Sequence, residues 1–411
     1  MTQDCAQKNN NTTKRPRKVL STAFKVAVVL VLLLAVPVVN IIADPSGIFY
    51  TGRDSAPEIK AAQIMLGGSN VTGLKSSFND RLLRREYIAG MEAGVDVVVS
   101  GSSRSEPITA EMAGLSDGES FMNMSVSGNE LWDTIGLLGL MAQRNVLPKT
   151  LIISLEPWML NDSYQLNRYK GKVSDGVYYY LTEHMGQTAD ESLLKLDSVC
   201  DPTSVDTGFF SLPVETQREA LSIAYFQASL RYIARGDFAK YHTPYATELA
   251  EGDTAIMRAD GSYCYPSEYR SADTDEVTER AREALKEGVL GLSTLSDTFY
   301  GDGYTLLREL LTALSNDGIE VKLLMLPYSP EAYQNTSTAT EKSAQTEAFA
   351  EIERIYRELA QEYSLEIVGS FDPDTYGYDM SAFYDEYHLR EEYIAPITGE
   401  LFADSGQGGA A

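Results

Sequence analysis

The chain has 411 residues and a formal net charge of −25, with 44% hydrophobic and 23% charged residues. This composition is typical of a globular protein, and the acidic balance argues against nucleic-acid binding, because phosphate backbones are bound by Lys and Arg. The three histidines are His184, His242 and His388, and no cluster with metal-ligand spacing surrounds them. The sequence therefore gives no reason to expect a metal or another cofactor.

The first 43 residues predict a membrane anchor. Residues 1–25 contain six Lys or Arg residues and one acid, and residues 26–43 carry no charge. An apolar helix over 19–43 is about long enough to span a bilayer, with Lys25 reaching the interface. The basic residues 1–18 should then stay in the cytoplasm and the remainder should be extracytoplasmic. A cleaved signal peptide is the alternative, but its apolar core spans about 7–15 residues and ends in an A-x-A site that this segment lacks.

Residues 44–80 are predicted to form an irregular connector, and residues 81–403 predict one α/β domain. Within that domain, short runs rich in β-branched residues alternate with segments of helical periodicity. The predicted strands are Val95–Ser100, Ser120–Met124, Thr150–Leu155, Glu320–Leu326 and Ser364–Val368. The predicted helices are Arg81–Gly94, Asn129–Arg144, Tyr304–Asn316 and Thr346–Tyr363. This alternation favours a three-layer α/β fold with a mostly parallel sheet.

The stretch from about 161 to 300 breaks the alternation. It is rich in tyrosine and contains one long predicted helix, Glu215–Gly236. We interpret it as a helical insertion that either packs over the domain as a lid, or shapes a polymer groove or docks a membrane partner. Cys200 and Cys264 lie within it and can form one disulfide in an oxidising compartment. Residues 404–411 are predicted to be a disordered tail.

The sequence Gly101-Ser102-Ser103-Arg104 directly follows the strand Val95–Ser100. A small-residue turn after a buried strand places a serine at the carboxyl edge of the sheet, where open α/β sheets bind ligands. Ser103 is therefore the candidate nucleophile, and its own backbone N–H is a candidate oxyanion donor. The alternative is that Ser102 and Ser103 only cap the helix that follows.

Two later segments supply candidate partners for this serine. The turn from Asn123 to Gly128 follows the second predicted strand, so that the Gly128 N–H is a candidate second oxyanion donor; otherwise the turn is an ordinary βα loop. Asp385 and His388 are spaced so that the carboxylate can hold one imidazole nitrogen while the other faces a serine. Taken alone, a histidine in a loop rich in tyrosines and acids is interpreted as a surface residue.

The order of these blocks resembles the SGNH (GDSL-like) hydrolase superfamily. Its members carry Gly-x-Ser after the first strand, a glycine after the second, an Asn-containing turn after the third and a late Asp-x-x-His. The resemblance implies a flavodoxin-like parallel sheet and a Ser103–His388–Asp385 catalytic triad. One block departs, because Glu156-Pro157-Trp158-Met159 replaces the usual Gly-x-Asn-Asp after the third strand. The Asn that normally donates to the oxyanion is therefore missing, which leaves backbone N–H groups for that role.

The chain is also similar to the DltD-like family of membrane-anchored, cell-envelope acyl-transfer proteins. The similar segments are the turn Leu155-Glu-Pro-Trp158-Met and the sequence Leu326-Pro327-Tyr328-Ser329-Pro330, whereas Arg104 stands where that family usually has Glu. In this interpretation Trp158, Tyr328 and Arg104 are candidate substrate-lining residues, although large aromatics at a sheet edge also serve as packing.

This resemblance implies an extracytoplasmic serine-dependent O-acyltransferase that acts on a cell-envelope polymer such as teichoic acid or a polysaccharide. It also implies a membrane-bound O-acyltransferase as partner, since this chain has one predicted spanning segment. A plain esterase that removes acetyl or D-alanyl groups is a second candidate. A non-catalytic accessory or scaffold protein of an envelope acylation complex is the alternative from a different class.

Overall fold

The computed structural model describes residues 24–26, 34–45, 57–75, 78–115, 118–196, 214–236, 238, 243–334 and 342–406. The chain divides into two compact units. The large unit combines Arg53–Val205 with Thr243–Ala411, and the small unit combines Met1–Gly52 with Asp206–His242. The small unit therefore takes part of the predicted insertion, while the rest of that insertion belongs to the large unit.

A five-stranded parallel sheet is the framework of the large unit. The strands of this unit are β1 Asn70–Thr72, β2 Val97–Ser100, β3 Phe121–Asn123, β4 Thr150–Ser154, β5 Tyr245–Thr247, β6 Ile256–Met257, β7 Tyr263–Cys264, β8 Glu320–Met325 and β9 Glu366–Gly369. Five of them pair in parallel in the order β3-β2-β4-β8-β9. The predicted α/β fold with a parallel sheet is confirmed, and each predicted strand is found within two residues of its expected bounds.

The central strands explain why this sheet is covered on both faces. Every residue of β2 and of β4 is buried. Along β2, Val98 packs in one hydrophobic cluster, whereas Val97 and Val99 pack in another. Successive side chains of a strand point to opposite faces, so an uninterrupted apolar run supplies core residues to both sides.

The strand order places a crevice beside β2. The chain passes from β2 to β3 on one side and then returns to β4 on the other side of β2. The direction in which strands are added therefore reverses between β2 and β4. In open parallel sheets, ligands bind outside the carboxyl ends of the strands at such a reversal.

The helices of the large unit include the four that the sequence predicts. They are Pro57–Leu66, Asp80–Gly90, Leu131–Gln143, Ser174–Glu183, Ser192–Leu196, Ser267–Arg270, Thr274–Ala284, Asp302–Asn316, Pro330–Gln334, Lys342–Tyr363 and Glu391–Thr398. The Asn79 side chain caps the start of the second helix by accepting from the Leu82 N–H. That helix ends at Gly90 rather than at the predicted Gly94, because the Met91 N–H turns back to the Ile88 carbonyl.

The structure differs from the predicted irregular connector over residues 44–80. This segment contains the helix Pro57–Leu66 and the strand β1. β1 pairs antiparallel with β5 and β6, and β7 completes a second sheet in the order β5-β1-β6-β7. The predicted insertion is therefore not only helical. Strands of two or three residues whose partners lie far away in the chain leave no local pattern that reveals them.

The described residues of the small unit are mostly helical, with helical stretches over residues 24–26, 34–43, Val214–Glu219 and Ile223–Ala234. The single predicted helix Glu215–Gly236 is thus interrupted at residues 220–222. Ser222 caps the second part by accepting from the Tyr225 N–H. A serine at such a position favours a new helix start over an uninterrupted helix.

Only residues 24–26 and 34–43 of the predicted anchor over 19–43 are described, and both stretches are helical. Within the described part of the chain, no helix combines the length and the apolar character that a membrane span requires. Cys264 is a buried free thiol, and Cys200 lies outside the described residues. The predicted tail over 404–411 begins inside the 3-10 helix Gly399–Gly406, and residues 407–411 lie outside the described residues.

Candidate active site

Ser103 lies just past the carboxyl end of β2, beside the reversal of strand order. The turn over residues 103–107 begins immediately after Gly101 and Ser102. A Cβ atom on Gly101 would lie 2.3 Å from Ser105 Oγ and 2.5 Å from Ser154 Cβ. Because real Cβ atoms do not approach so closely, glycine is required for the chain to leave β2 along this path.

The structure brings the three predicted triad residues together. His388 Nε2 lies 2.8 Å from Ser103 Oγ, and His388 Nδ1 lies 2.7 Å from Asp385 Oδ2. The ionised carboxylate can only accept, so the proton of the neutral imidazole resides on Nδ1. Nε2 is then free to accept from the serine hydroxyl. This is the arrangement that a serine nucleophile needs for its activation.

Local backbone geometry fixes the Asp385 carboxylate. The backbone N–H groups of Tyr387 and His388 donate to Asp385 Oδ1 at 2.7 and 2.8 Å. The carboxylate is almost fully buried. Burial by itself disfavours its charge, but the attraction of His388 and these hydrogen bonds prevail and hold the pKa of Asp385 well below its usual range. Asp385 is therefore ionised throughout the physiological range.

The imidazole of His388 responds to that charge. Burial opposes its protonation, but the Asp385 carboxylate outweighs this effect through charge and hydrogen bonding, and Glu106 adds a further negative charge. The net result is a pKa of His388 that is raised above its ordinary value. A base with a raised pKa accepts the serine proton more readily once it is itself neutral.

Two tyrosines from the predicted insertion complete the surroundings of the triad. The Tyr269 hydroxyl donates to Asp385 Oδ2, and the Tyr265 hydroxyl donates to the Ser103 carbonyl oxygen at 3.3 Å. The Tyr265 ring lies 5.5 Å from the His388 ring between centroids. Neither tyrosine is predictable from the sequence, since nothing in their spacing connects them to Ser103, Asp385 or His388. The tyrosine-rich composition of the segment was the only signal.

A cavity of about 350 Å³ opens in front of the serine. Its lining combines aromatic rings with two carboxylates and with the Ser103 and His388 side chains. The lining residues are Phe78, Asp80, Ser103, Glu106, Ser127, Tyr263, Tyr265, Pro266, Tyr269 and His388. A space of this size accommodates a short acyl group and part of an acceptor.

The two carboxylates of this cavity differ in their bonding. Asp80 pairs with Arg81 at 3.1 Å and accepts from the Ser127 N–H at 2.6 Å. Glu106 is 6% exposed, and within the described chain its carboxylate has no hydrogen-bond partner. Burial, together with the charge of Asp80, raises the pKa of Glu106 to about 7. A carboxylate that lines a cavity and makes no hydrogen bond there is a group that a cationic ligand can bind.

The two candidate oxyanion donors differ in their positions. No acceptor within the described residues takes the N–H of Ser103, which lines the cavity. Gly128 has a positive φ of 59° and is not a lining residue, and a Cβ atom on it would meet Arg168 and Leu166. The side chain of Asn123 is not a donor to the cavity, because its Nδ2 donates to the carbonyl oxygens of Ser105, Glu106 and Ile108. It instead holds the turn that carries Ser103 in position.

Arg104 and Tyr328, predicted to line the substrate, are buried and belong to an ion-pair network. Arg104 Nη1 lies 2.7 Å from Glu156 Oε2, and its guanidinium lies 3.8 Å from the centroid of the Tyr328 ring. The Tyr328 hydroxyl donates to the same Glu156 oxygen at 3.1 Å. Burial opposes the charge of Arg104, but Glu156 more than offsets it, so that the pKa of Arg104 is raised. Neither residue lines the cavity at Ser103.

This network accounts for two departures from the family patterns. Glu156 replaces the start of the usual Gly-x-Asn-Asp block, and Arg104 stands where a Glu is usual. In the structure these two residues bind each other, and the Ser102 hydroxyl donates to the other oxygen of Glu156. The buried positive charge of Arg104 is therefore balanced by the negative charge of Glu156.

Trp158 also lies away from the cavity at Ser103. It is buried, and its Nε1 donates to the Asn129 carbonyl oxygen at 2.8 Å. It lines a different cavity, of about 300 Å³, together with Asn161 and Asp302. Its contacts are those of a packing residue that joins two βα loops. Within the described residues, no group of three or more His, Cys, Asp or Glu side chains is arranged to hold a metal ion.

No protein-family model and no curated protein matches this chain. The chemistry of the site therefore has to follow from its own contacts.

Proposed function

We propose that this chain is a serine-dependent acyltransferase or esterase of the SGNH type, acting outside the cytoplasm on ester groups of a cell-envelope polymer. The observation that carries the proposal is the 2.8 Å contact between Ser103 Oγ and His388 Nε2, with Asp385 on the opposite nitrogen. A serine hydroxyl is a poor nucleophile until a positioned base takes its proton. The contact supplies that base.

The fold supports the same proposal. Numbered along the chain within the parallel sheet, the strands are arranged 2-1-3-4-5, which is the flavodoxin-like order. The nucleophile follows the first of these strands, and the His–Asp pair follows the last. This is the distribution that the resemblance to SGNH hydrolases implies.

The reaction follows from the geometry in two halves. His388 Nε2 takes the Ser103 proton while Oγ attacks the carbonyl carbon of an ester, and the oxyanion is stabilised by the N–H groups of Ser103 and Gly128. His388 then gives the proton to the leaving alcohol, and an acyl-Ser103 ester remains. In the second half, His388 deprotonates an acceptor hydroxyl, or water, which attacks this ester and regenerates the serine.

The cavity favours a short acyl group that carries a positive charge. Glu106 faces the cavity without a hydrogen-bond partner in the described chain, and aromatic rings line the neighbouring wall. A carboxylate and tyrosine rings together bind an ammonium group. Of the two acyl groups considered, D-alanyl therefore fits this cavity better than acetyl. A teichoic acid or a polysaccharide supplies the acceptor hydroxyl, and a membrane-bound O-acyltransferase is the partner that would deliver the acyl group.

A non-catalytic accessory role is the second candidate, and one observation favours it. Trp158 stands at the position of the usual Asn donor, and its Nε1 donates to the Asn129 carbonyl oxygen. Its N–H is therefore already engaged and does not line the cavity at Ser103. Loss of a single oxyanion donor lowers the rate by about 10²–10³-fold, so backbone donors alone would support a slower enzyme.

The test exposes the full-length protein in nanodiscs to the p-nitrophenyl esters of acetate and of D-alanine, with and without poly(glycerol phosphate) as acceptor. We expect an acyl adduct on the Ser103 peptide, faster formation from the D-alanyl ester, and transfer to the polymer. The variant Glu106→Gln should lose the preference between the two esters, whereas the exposed control Glu268→Gln should keep it. A folded protein that forms no adduct and turns over neither ester would instead support the accessory role.

A further inference from the structure

The small unit has polar groups between its helical segments. Asn40 is fully buried, and its Nδ2 donates to three backbone carbonyl oxygens at 3.0–3.2 Å. The three acceptors are Glu219, Ala220 and Ser222. These carbonyls lie at the interruption between the helices Val214–Glu219 and Ile223–Ala234, where helical partners are missing. One asparagine side chain thus donates to the backbone carbonyl groups that have lost their helical hydrogen bonds at this interruption.

Two further side chains extend this polar contact. The Ser229 hydroxyl donates to Asn40 Oδ1 at 3.2 Å, and the Tyr225 hydroxyl donates to Asp44 Oδ1 at 2.7 Å. Ser229 and Tyr225 are four residues apart and so share one face of the helix Ile223–Ala234. That helix therefore turns its polar face towards the segment 34–45.

The apolar side chains of the same two segments point outwards. On the helix Ile223–Ala234 the exposed residues Ile223, Leu230 and Ile233 lie on one face, with exposed fractions of 60%, 46% and 45%. On the segment 34–43 four exposed apolar residues again recur at helical spacing. They are Leu34, Val38, Ile41 and Ile42. A helix pair in water would bury these side chains and expose the asparagine and serine.

The reverse arrangement is the one that a hydrocarbon environment favours. Between helices in lipid, apolar contacts gain little over contacts with lipid chains, and interhelical hydrogen bonds from Asn and Ser contribute to association. Backbone groups at a helix break must also find partners within the protein. Asn40 and Ser229 meet both requirements, while Ile223 and Leu230 present the surface that lipid would cover.

We propose that the helix Ile223–Ala234 is embedded in the lipid bilayer beside the segment 34–43, as a second membrane-inserted element of this chain. Twelve helical residues extend about 18 Å, which is less than the roughly 30 Å of bilayer hydrocarbon, so this helix enters one leaflet without crossing. The proposal goes beyond the catalytic function and does not depend on it.

Two observations indicate that lipid chains, rather than a second copy of the protein, cover the exposed apolar side chains of these two segments. The outward face of the segment 34–43 belongs to a run of uncharged residues that extends from 26 to 43. Arg231 and Arg235 are exposed near the end of the helix Ile223–Ala234. Long basic side chains beside an apolar helical face can reach anionic headgroups while the face enters the acyl region.

The first experiment measures contact with lipid chains directly. The full-length protein, with Cys5 and Cys200 replaced by Ser, carries one environment-sensitive fluorophore at Leu230→Cys, Ile233→Cys, Phe24→Cys or Leu249→Cys. An otherwise identical protein without an added cysteine measures labelling of the buried Cys264. Each is reconstituted in phosphatidylcholine–phosphatidylglycerol vesicles with brominated acyl chains. Leu249 is an exposed leucine of the large unit and is the matched control.

We expect positions 230 and 233 to be quenched at least about threefold more strongly than position 249. Quenching at position 24 together with no quenching at 230 and 233 would overturn the proposal while retaining the anchor. Disulfide cross-linking between copies through position 230, without quenching, would overturn it in favour of a dimer interface. Fluorophosphonate labelling of Ser103 in the same samples reports the catalytic proposal separately, so the two can fail independently.

A second comparison uses charge. Leu230→Glu and Ile233→Glu should each reduce the amount of folded protein recovered from membranes several-fold, because a carboxylate cannot replace a lipid-facing leucine or isoleucine without cost. Leu249→Glu should leave the recovery unchanged. If all three variants are recovered equally, the face is exposed to water and the proposal is wrong.

Discussion

The large unit contains two groups in which a histidine holds a carboxylate through Nδ1 and a tyrosine hydroxyl donates to that carboxylate. The site group is Tyr269, Asp385 and His388, and the second group is Tyr180, Asp317 and His184. The Nδ1-to-carboxylate distances are 2.7 Å in the site group and 2.9 Å in the second group. The two histidine side chains are also similarly exposed, at 17% and 19%.

The groups differ in what the histidine ring meets beyond its carboxylate. Both histidines border a cavity, but His388 Nε2 contacts the Ser103 hydroxyl. The His184 ring stacks on Tyr180 at 4.7 Å, and within the described residues no serine hydroxyl contacts it. A hydrogen-bonded His–Asp pair can therefore have a purely structural role. The Ser103 hydroxyl on the opposite ring nitrogen is what makes the His388 pair a candidate active site.

The largest expected effect comes from removing the base or the nucleophile. Ser103→Ala and His388→Ala should each lower kcat/KM for p-nitrophenyl acetate by about 10⁶-fold, since the triad acts as a unit. His184→Ala should stay within about twofold of the parent protein in the same assay. Equal activity of His388→Ala and His184→Ala would remove the distinction between the two groups.

The next largest effect should come from replacing the carboxylate of each group with an amide. Asp385→Asn should lower kcat by about 10⁴-fold, because an amide can stabilise the wrong tautomer of His388 and cannot balance its charge. Asp317→Asn should leave kcat unchanged and lower the unfolding free energy by about 1–2 kcal/mol through its lost hydrogen bonds. Steady-state kinetics and urea unfolding of both variants measure these effects, and an active Asp385→Asn enzyme would contradict the proposed triad.

Replacing the tyrosine of each group should give a smaller effect, a shift of the pH profile in a defined direction. Tyr269 donates to Asp385 and helps to lower its pKa, so Tyr269→Phe leaves a carboxylate that attracts the imidazolium more strongly. The pKa of His388 should rise, and the acid limb of the kcat/KM profile should move to higher pH. Tyr180→Phe should not move this limb. A profile of Tyr269→Phe that coincides with the parent's would show that Tyr269 only packs against the site.

The smallest expected effect concerns Glu106. Its negative charge raises the pKa of His388, so Glu106→Gln should lower that pKa and move the acid limb to lower pH. The profile is measured with p-nitrophenyl acetate, which carries no cation for Glu106 to bind. The exposed Glu268→Gln is the control and should leave the profile unchanged. A shift of the acid limb to higher pH in Glu106→Gln would contradict the assigned electrostatics.

The sequence could predict Asp385 and His388 as a pair because their contact is local. Asp385 and His388 are three residues apart in one loop, and the strand before Gly101 is an unambiguous apolar run. Asp317 and His184, in contrast, lie far apart in the chain and have no spacing to reveal them. Tyr265 and Tyr269 were missed for the same reason, because only the tertiary fold brings them to Ser103.

The same limit applies to the fold. The strands of the parallel sheet were predictable from apolar runs that alternate with helical segments, whereas β1 lies outside that alternation and pairs with strands far later in the chain. Arg104 and Glu156 each looked like an isolated departure from a family pattern. Their 2.7 Å contact shows that the two residues form one buried ion pair, which neither motif alone could reveal.

Fluorophosphonate labelling of the full-length protein tests the central claim most directly. Intact mass and peptide mapping follow the parent protein, Ser103→Ala, His388→Ala and His184→Ala in nanodiscs. We predict one adduct on the Ser103 peptide of the parent and of His184→Ala, and none in Ser103→Ala or His388→Ala. Absence of an adduct from the folded parent protein, or labelling of Ser103 that persists without His388, would contradict an activated serine at this site.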